Sequence, residues 1–280
     1  MLQRSEPTVL LDRLRILSWA PHAGWRAPQL RNHRVIRDTF VKAQTSTVTY
    51  TRAREYLNLD SKAKVYLQYR RRKAWLDGWR FTLVAADDRG LEVSDVNAVL
   101  KCCRHCRLGM GEIAFDFPED ALVDLDFVRQ HALFGKSQPR RNHSRPDILW
   151  FGTRRSAKFV RCYHKHELNV FRVELELHSS FLKTQQIVRA SELFQLAAVL
   201  PGQIRFVRLK RVALLNYLEQ HFGARSSHRM MAALKTHSCI HDALRYLRRE
   251  GVRNVHRYLK PIWPTACLET ALRRWSRNWL

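Results

Sequence analysis

Over roughly the first two thirds of the chain, apolar and polar residues alternate with a period of two; near residue 185 the spacing changes to threes and fours. Period two sends successive side chains to opposite faces of a strand, whereas three-and-four spacing lays one apolar stripe along a helix. Strands are therefore predicted at Val9 to Ile16, Val65 to Arg70 and Arg80 to Ala85, the last two joined by a turn around Leu76-Asp77-Gly78. Ser94 precedes Val96, Val99 and Leu100, so a serine-capped helix is expected to run toward Cys106. Further strands are expected at Gly111 to Phe117, Ile148 to Gly152, Lys158 to Lys165 and Val170 to His178, with a basic loop from Phe134 to Pro146. After Leu182, helical spacing covers Ala190 to Leu200, Val207 to Phe222, Arg229 to Leu234 and Ile240 to Leu247, and the chain ends in the basic Thr270 to Leu280.

The fold class this implies is α+β, a central antiparallel sheet flanked by helices and followed by a small helical C-terminal domain. The division falls into 1–185, carrying the chemistry, and 186–280, a basic helical unit.

Composition sharpens the picture. Hydrophobic residues make up 45% of 280 positions, enough for a substantial core. Lysine and arginine total 50 against 25 acidic residues, a formal charge of +25 spread over the whole length. Such a field selects a polyanion, and its spread favours nucleic acid over a membrane surface, which a single basic amphipathic helix would serve. No apolar run reaches the roughly 20 residues of a membrane span, and Met1 to Leu10 lacks a signal peptide's apolar stretch. A cytoplasmic protein is expected. Six cysteines without even spacing are expected to be reduced thiols. No phosphate-binding glycine loop is present, so no nucleotide cofactor is expected.

Strand parity then gathers the polar residues. Glu112 and Asp116 share a face opposite Ile113, Phe115 and Phe117. Arg172, Glu174, Glu176 and His178 oppose Val173, Leu175 and Leu177, while Arg161, Tyr163 and Lys165 oppose Val160 and Cys162. If these strands are neighbours with aligned polar faces, four carboxylates and a histidine lie beside a tyrosine flanked by cations. Carboxylate oxygens are hard ligands suited to Mg2+ or Mn2+, which polarises a phosphate oxygen and stabilises a leaving 3'-hydroxyl. Tyr163 is then the nucleophile on phosphorus, and its product a 5'-phosphotyrosine. Arg161 and Lys165 compensate charge on the phosphate and favour the phenolate of Tyr163. The competing reading is a solvated charged face with cross-strand ion pairs.

Four strings carry a family resemblance: Ile113-Ala-Phe-Asp-Phe117, Trp150-Phe-Gly-Thr-Arg-Arg-Ser156, Phe159-Val-Arg-Cys-Tyr-His-Lys165 and Phe171-Arg-Val-Glu-Leu-Glu-Leu177. They resemble, in order, the "AFDF", "FGxRxS", "RxYxK" and "RxExEL" hallmarks of the Rep_trans-type rolling-circle initiators, over about residues 110 to 182. The family includes plasmid replication initiators, relaxases of some integrative conjugative elements and replication proteins of some filamentous phages. The resemblance implies a fold like the HUH endonuclease superfamily, although the His-hydrophobic-His pair of that superfamily is absent from the matching strands. It implies a nicking tyrosine at Tyr163 and metal-binding acids at Glu112, Asp116, Glu174 and Glu176, with Asp116, Glu174 and Glu176 favoured as direct ligands. It also implies origin DNA as substrate, with a host helicase and a homodimer as further partners. A conjugative relaxase with the same chemistry and a non-catalytic DNA-binding replication protein are the alternatives.

Other groupings have plainer readings. His164 and His166 flank a lysine rather than a hydrophobic residue, and His164 has the opposite parity to Tyr163. Cys102, Cys103, His105 and Cys106 have partial zinc spacing, which His237, Cys239 and His241 could complete only by folding back; incidental thiols are the simpler reading. Arg70 to Lys73, Arg140-Arg141 with His143 and Arg145, and Arg205 with Arg208, Lys210 and Arg211 are phosphate-tracking candidates, with Trp75, Trp79 and Trp150 for stacking. Arg245, Arg248, Arg249, Arg253 and Arg257 around Leu244, Leu247 and Val255 suggest a basic face for duplex recognition.

Overall fold

A computed structural model describes residues 5–19, 27–40, 50–71, 78–86, 89–134, 138–141 and 146–279. The first half is mostly strand: β1 (Thr8–Trp19), β2 (His33–Phe40), β3 (Tyr50–Asn58), β4 (Lys64–Arg71), β5 (Gly78–Val84), then α1 (Val93–Leu100) and β6 (Arg104–Pro118). There follow α2 (Leu125–His131), β7 (Ala132–Leu133), β8 (Pro139–Arg141), β9 (Ile148–Phe151), β10 (Lys158–Lys165) and β11 (Val170–His178). The remainder holds α3 (Ser179–Thr184), α4 (Leu196–Val199), β12 (Arg205–Leu209), α5 (Arg211–Phe222), α6 (Ala224–Thr236), α7 (Ile240–Arg249), β13 (Leu259–Pro261) and α8 (Trp263–Arg277). None of the helices among the described residues is long and apolar enough to cross a membrane.

The protein is α+β, built on a large antiparallel sheet. Among the described residues, ten strands run in the order β2-β3-β4-β5-β1-β6-β11-β10-β9-β8. A smaller sheet joins β13, β12 and β7. Alternation sets the two faces of the large sheet. Leu11, Phe81, Ile113, Phe115, Phe117, Val173, Leu175 and Leu177 are fully buried on one face, in one cluster with residues of α1, α2, α3 and α8. At about 1.5–3 kcal/mol for each large side chain removed from water, this face sets the register.

β1 departs from simple alternation. Val9, Leu11, Leu14 and Ile16 are all buried, yet Leu11 and Leu14 are three apart. A bulge resolves the phase: Leu11 stands opposite Ile113 and Arg13 opposite Glu112, leaving Asp12 as the extra residue. Without it, Leu14 and Ile16 would turn to the polar face, losing about 4 kcal/mol of burial.

Several expected elements change. α1 begins at Val93, so Ser94 lies inside the helix and Glu92 takes the cap position. The Asp95 carboxylate accepts the Glu92 N–H (2.9 Å), the Asn58 amide (2.7 Å) and the Ser61 hydroxyl (2.7 Å), fastening the helix to the β3–β4 turn. α1 stops at Leu100 because the chain from Arg104 pairs with β1. Val207 to Leu209 is strand, not helix, paired to β13 on one side while β12 meets β7 on the other. The Phe134 to Pro146 stretch contains β8, while Leu76-Asp77, Arg72, Lys73, Trp75, His143 and Arg145 lie outside the described residues. Trp79, considered for stacking on bases, is buried against Phe81 (5.9 Å between rings).

The C-terminal third divides between two cores. Leu214, Leu218, Met230, Leu244 and Leu247 form a second cluster with Leu133, Val207 and Leu259. Ile187 to Phe206 and the residues of α8 pack instead with the large sheet, past the expected division at residue 185.

Candidate active site

The sheet order places β1, β6, β11, β10 and β9 side by side, so the strands expected to be neighbours are neighbours. Arg172 stands opposite Asp116 and Tyr163, Glu174 opposite Ala114 and Arg161, and Glu176 opposite Glu112 and Phe159. Directly paired residues share a face, so the polar faces align.

Two arginine networks organise the carboxylates, one centred on the buried Arg172 and one on the half-buried Arg161. The Arg172 side chain is 2% exposed and donates twice to Asp116, from Nε to Oδ1 (2.6 Å) and from a terminal nitrogen to Oδ2 (2.7 Å). Its other terminal nitrogen lies 3.6 Å from Asp12 and 3.8 Å from Glu174. Arg161 donates to Glu112 Oε1 (2.5 Å) and lies 2.6 Å from Glu174 Oε2, while Arg13 approaches Glu112 Oε2 at 3.3 Å. Glu112 Oε2 and Glu174 Oε2 are buried and accept no hydrogen bond, so the latter two contacts are ionic without being directional. Tyr163 donates its hydroxyl to Glu174 Oε1.

One group of acidic residues has the spacing of cation ligands: ligand oxygens of Asp12, Glu112 and Glu174 all lie within 4.8 Å of one another. Among the described residues this is the group that histidine, cysteine, aspartate and glutamate side chains form with such spacing. Glu112 and Glu174 were expected there. Asp116 is instead engaged by Arg172, and Glu176 pairs with His178 (3.0 Å). Asp12 replaces them. Alternation counted from Val9 and Leu11 puts Asp12 on this face, and alternation counted back from Leu14 and Ile16 puts it on the other; the three-residue step between Leu11 and Leu14 was the signal. Arg172, read only as part of a charged face, proves to be the buried hub.

Burial first and neighbouring charges second set the acidity of these groups. Burial and the neighbouring Glu174 push the Glu112 carboxyl up to about 7, against the opposing pull of Arg161 and Arg13. Burial, the charge of Glu174 and the hydrogen bond to it raise the Tyr163 hydroxyl well above an ordinary phenol. Arg172 and Arg161 pull toward the phenolate, as expected of neighbouring cations, but burial and Glu174 outweigh them. Burial works against the Arg161 charge, but Glu174 and Glu112 hold its guanidinium more strongly protonated than usual.

Lys165 ends β10, across from Val170 and two residues beyond Tyr163. His164 and His166 are exposed and face each other, Nδ1 to Nδ1, at 3.1 Å. Cys239 donates to Asp242 (3.2 Å), and the Cys103 and Cys106 thiols hydrogen-bond one another. Trp150 stacks edge-on against Phe159 (5.9 Å) beside Arg161. No protein-family model matches this chain, and no curated protein is significantly similar to it.

Proposed function

We propose that this chain is a metal-dependent DNA nicking and closing enzyme of the rolling-circle initiator type, cutting origin DNA through a 5'-phosphotyrosine at Tyr163. The observation that carries the reading is the Tyr163 hydroxyl donated to Glu174, one of three clustered carboxylates next to Arg161 and Arg172. A structural ion-pair network has no need of a phenol. A phosphodiester cleaving site needs a nucleophile, a proton acceptor and cations at one place.

The donor set fits a hard divalent cation. Asp12, Glu112 and Glu174 offer only oxygens, two of them buried without a hydrogen bond. With Glu112 ionised, four carboxylates meet three guanidiniums here, leaving negative charge in excess. Bound Mg2+ or Mn2+ would supply positive charge to the phosphate and the departing 3'-oxygen. Glu174 Oε1 accepts the phenolic proton as the Tyr163 oxygen attacks phosphorus. The bond to the 3'-oxygen breaks, the departing oxygen takes that proton from Glu174 and leaves as a 3'-hydroxyl, and the 5'-phosphate stays on Tyr163; in resealing, the attacking 3'-hydroxyl passes its proton through Glu174 back to the released Tyr163 oxygen. Arg161, with Lys165 beyond Tyr163 on the same strand, offsets phosphate charge.

On this reading the sheet is the central sheet of an HUH endonuclease-like domain within a cytoplasmic protein. The second core is a small helical domain for duplex DNA. Its support is that Arg245, Arg248, Arg249, Arg253 and Arg257 are exposed while Leu244, Leu247 and Val255 are buried. A homodimer and a host helicase complete the reading; a conjugative relaxase differs only in the element that carries the gene. The rival is a DNA-binding protein without cleavage, favoured by the arginines already paired to the carboxylates. Supercoiled DNA from the genetic element that carries the gene discriminates them. Wild type should convert it to nicked circle with Mn2+ but not with EDTA, and Glu174→Gln should not. Binding without nicking would establish the rival.

A further inference from the structure

The polar face of the sheet continues past the carboxylates toward β5 and β4. Across those strands, paired residues stack in rows: Glu112, Arg13, Val84 and Lys64; then Arg15, Thr82 and Tyr66; then Arg107, Leu17, Arg80 and Gln68. Five cations thus lie on one face of four adjacent strands. Between them is an open trough of ≈ 500 Å³ lined by Arg13, Arg15, Arg80, Tyr66 and their neighbours. Arg13 is both a wall of the trough and the partner of Glu112 at 3.3 Å, so the trough borders the carboxylate cluster through this one side chain.

We propose that this trough holds single-stranded DNA on its way to Tyr163, with Arg13, Arg15 and Arg80 against successive phosphates and Tyr66 against a base. The proposal rests on the nicking function proposed above. Charge complementarity selects a polyanion, and the floor selects the single strand. Tyr66, Thr82 and Val84 offer ring and methyl surface, which an unpaired base can cover and a duplex, with its base faces stacked inside, cannot. The Tyr66 hydroxyl hydrogen-bonds Glu55 on β3, and its ring is on the more exposed side of the sheet at 37%. Two residues along a strand are about 6.7 Å apart, so Arg13 and Arg15 present cations in a row rather than at one point.

The test is fluorescence anisotropy with labelled oligo(dT) of 20 nucleotides in EDTA, from 50 to 200 mM salt, which requires no cleavage. Arg15→Ala/Arg80→Ala should bind at least tenfold more weakly and flatten the slope of log affinity against log salt by about 1.4, two lost phosphate contacts at about 0.7 each. Tyr66→Ala should weaken binding about 5- to 100-fold with little change in slope. Arg225→Ala/Arg229→Ala, an equal charge change on the exposed side of α6, should bind like wild type. If the first double variant fails to fold by circular dichroism, Arg15→Gln/Arg80→Gln, which keeps most of both stems, gives the reading. Equal losses in the α6 variant, or an unchanged slope in the trough variant, would overturn the proposal. Tyr163→Phe separates the two claims. Trough variants that lose binding while wild type forms no covalent adduct would sink the nicking function alone; adducts with undiminished trough-variant binding would sink the trough alone.

Discussion

Replacing Glu112 with glutamine should stabilise the metal-free protein at alkaline pH. Glu112 is 1% exposed, and its carboxyl is pushed up to about 7 from an ordinary 4.5 by burial first and by Glu174 second. A raised carboxyl contributes stability that is fully present below pH 4.5 and lost as pH rises through about 7. At about 1.4 kcal/mol for each pH unit of displacement, the loss well above pH 7 comes to roughly 3–4 kcal/mol. Glutamine mimics the neutral acid and still accepts from Arg161. In EDTA, Glu112→Gln should therefore match wild type near pH 4.5 and exceed it by up to roughly 3–4 kcal/mol at pH 8.5. Urea unfolding followed by tryptophan fluorescence would show this as a midpoint about 1 M higher, for an m-value of about 3 kcal/mol/M. Mn2+ should narrow the difference: wild type gains about 2.7 kcal/mol at a hundredfold excess over Kd, and the variant, lacking a ligand charge, gains less. A variant less stable than wild type at pH 8.5 would refute the reasoning, showing that Arg161 and Arg13 outweigh burial and Glu174.

Arg172→Met should destabilise by roughly 3–5 kcal/mol in urea, because Asp116 would be left buried and unpaired; Arg172→Met/Asp116→Leu should recover more than half of that, and no recovery would place the damage in packing. Asp12→Asn should fold normally yet bind Mn2+ roughly tenfold more weakly or worse by calorimetry, since it removes one ligand charge; unchanged affinity would remove Asp12 from the site. Tyr163→Phe should lose about 1 kcal/mol, one hydrogen bond to Glu174, and a loss above 3 kcal/mol would mark the phenol as structural. Cys106, whose thiol is drawn down to about 7 by the Cys103 hydrogen bond, should alkylate ahead of Cys102 and Cys267, which burial pushes up. Peptide mass spectrometry at pH 7.5 reads the order, and equal labelling would contradict it.

Much of the architecture was legible because one sheet face is buried and the other is not. Alternation in Glu112 to Phe117, Phe159 to Lys165 and Phe171 to His178 fixed the parity of three strands, and the structure pairs them with polar faces aligned. What parity could not show was partner choice within that face. Asp116 and Glu174 look equivalent by spacing, yet the Arg172 fork closes on Asp116 and leaves a Glu174 oxygen without a hydrogen bond. Asp12 was hidden because a bulge suspends the alternation at that point. β12 was read as helix because Val207 and Leu209 continue a helical spacing into α5; its strand state depends on β13, more than 40 residues away. Ser94 was a sound cap by residue type, but Asp95 is held by Asn58 and Ser61, contacts no local pattern announces.

The central claim is that Tyr163 becomes covalently joined to DNA. The direct measurement is mass spectrometry of the peptide carrying Tyr163 after wild type is incubated with single-stranded origin DNA and Mn2+, then treated with nuclease. A nucleotide attached through its 5'-phosphate to Tyr163, absent with EDTA and absent in Tyr163→Phe, is the predicted result. Attachment at another residue, or cleavage by Tyr163→Phe at the wild-type rate, would contradict the account.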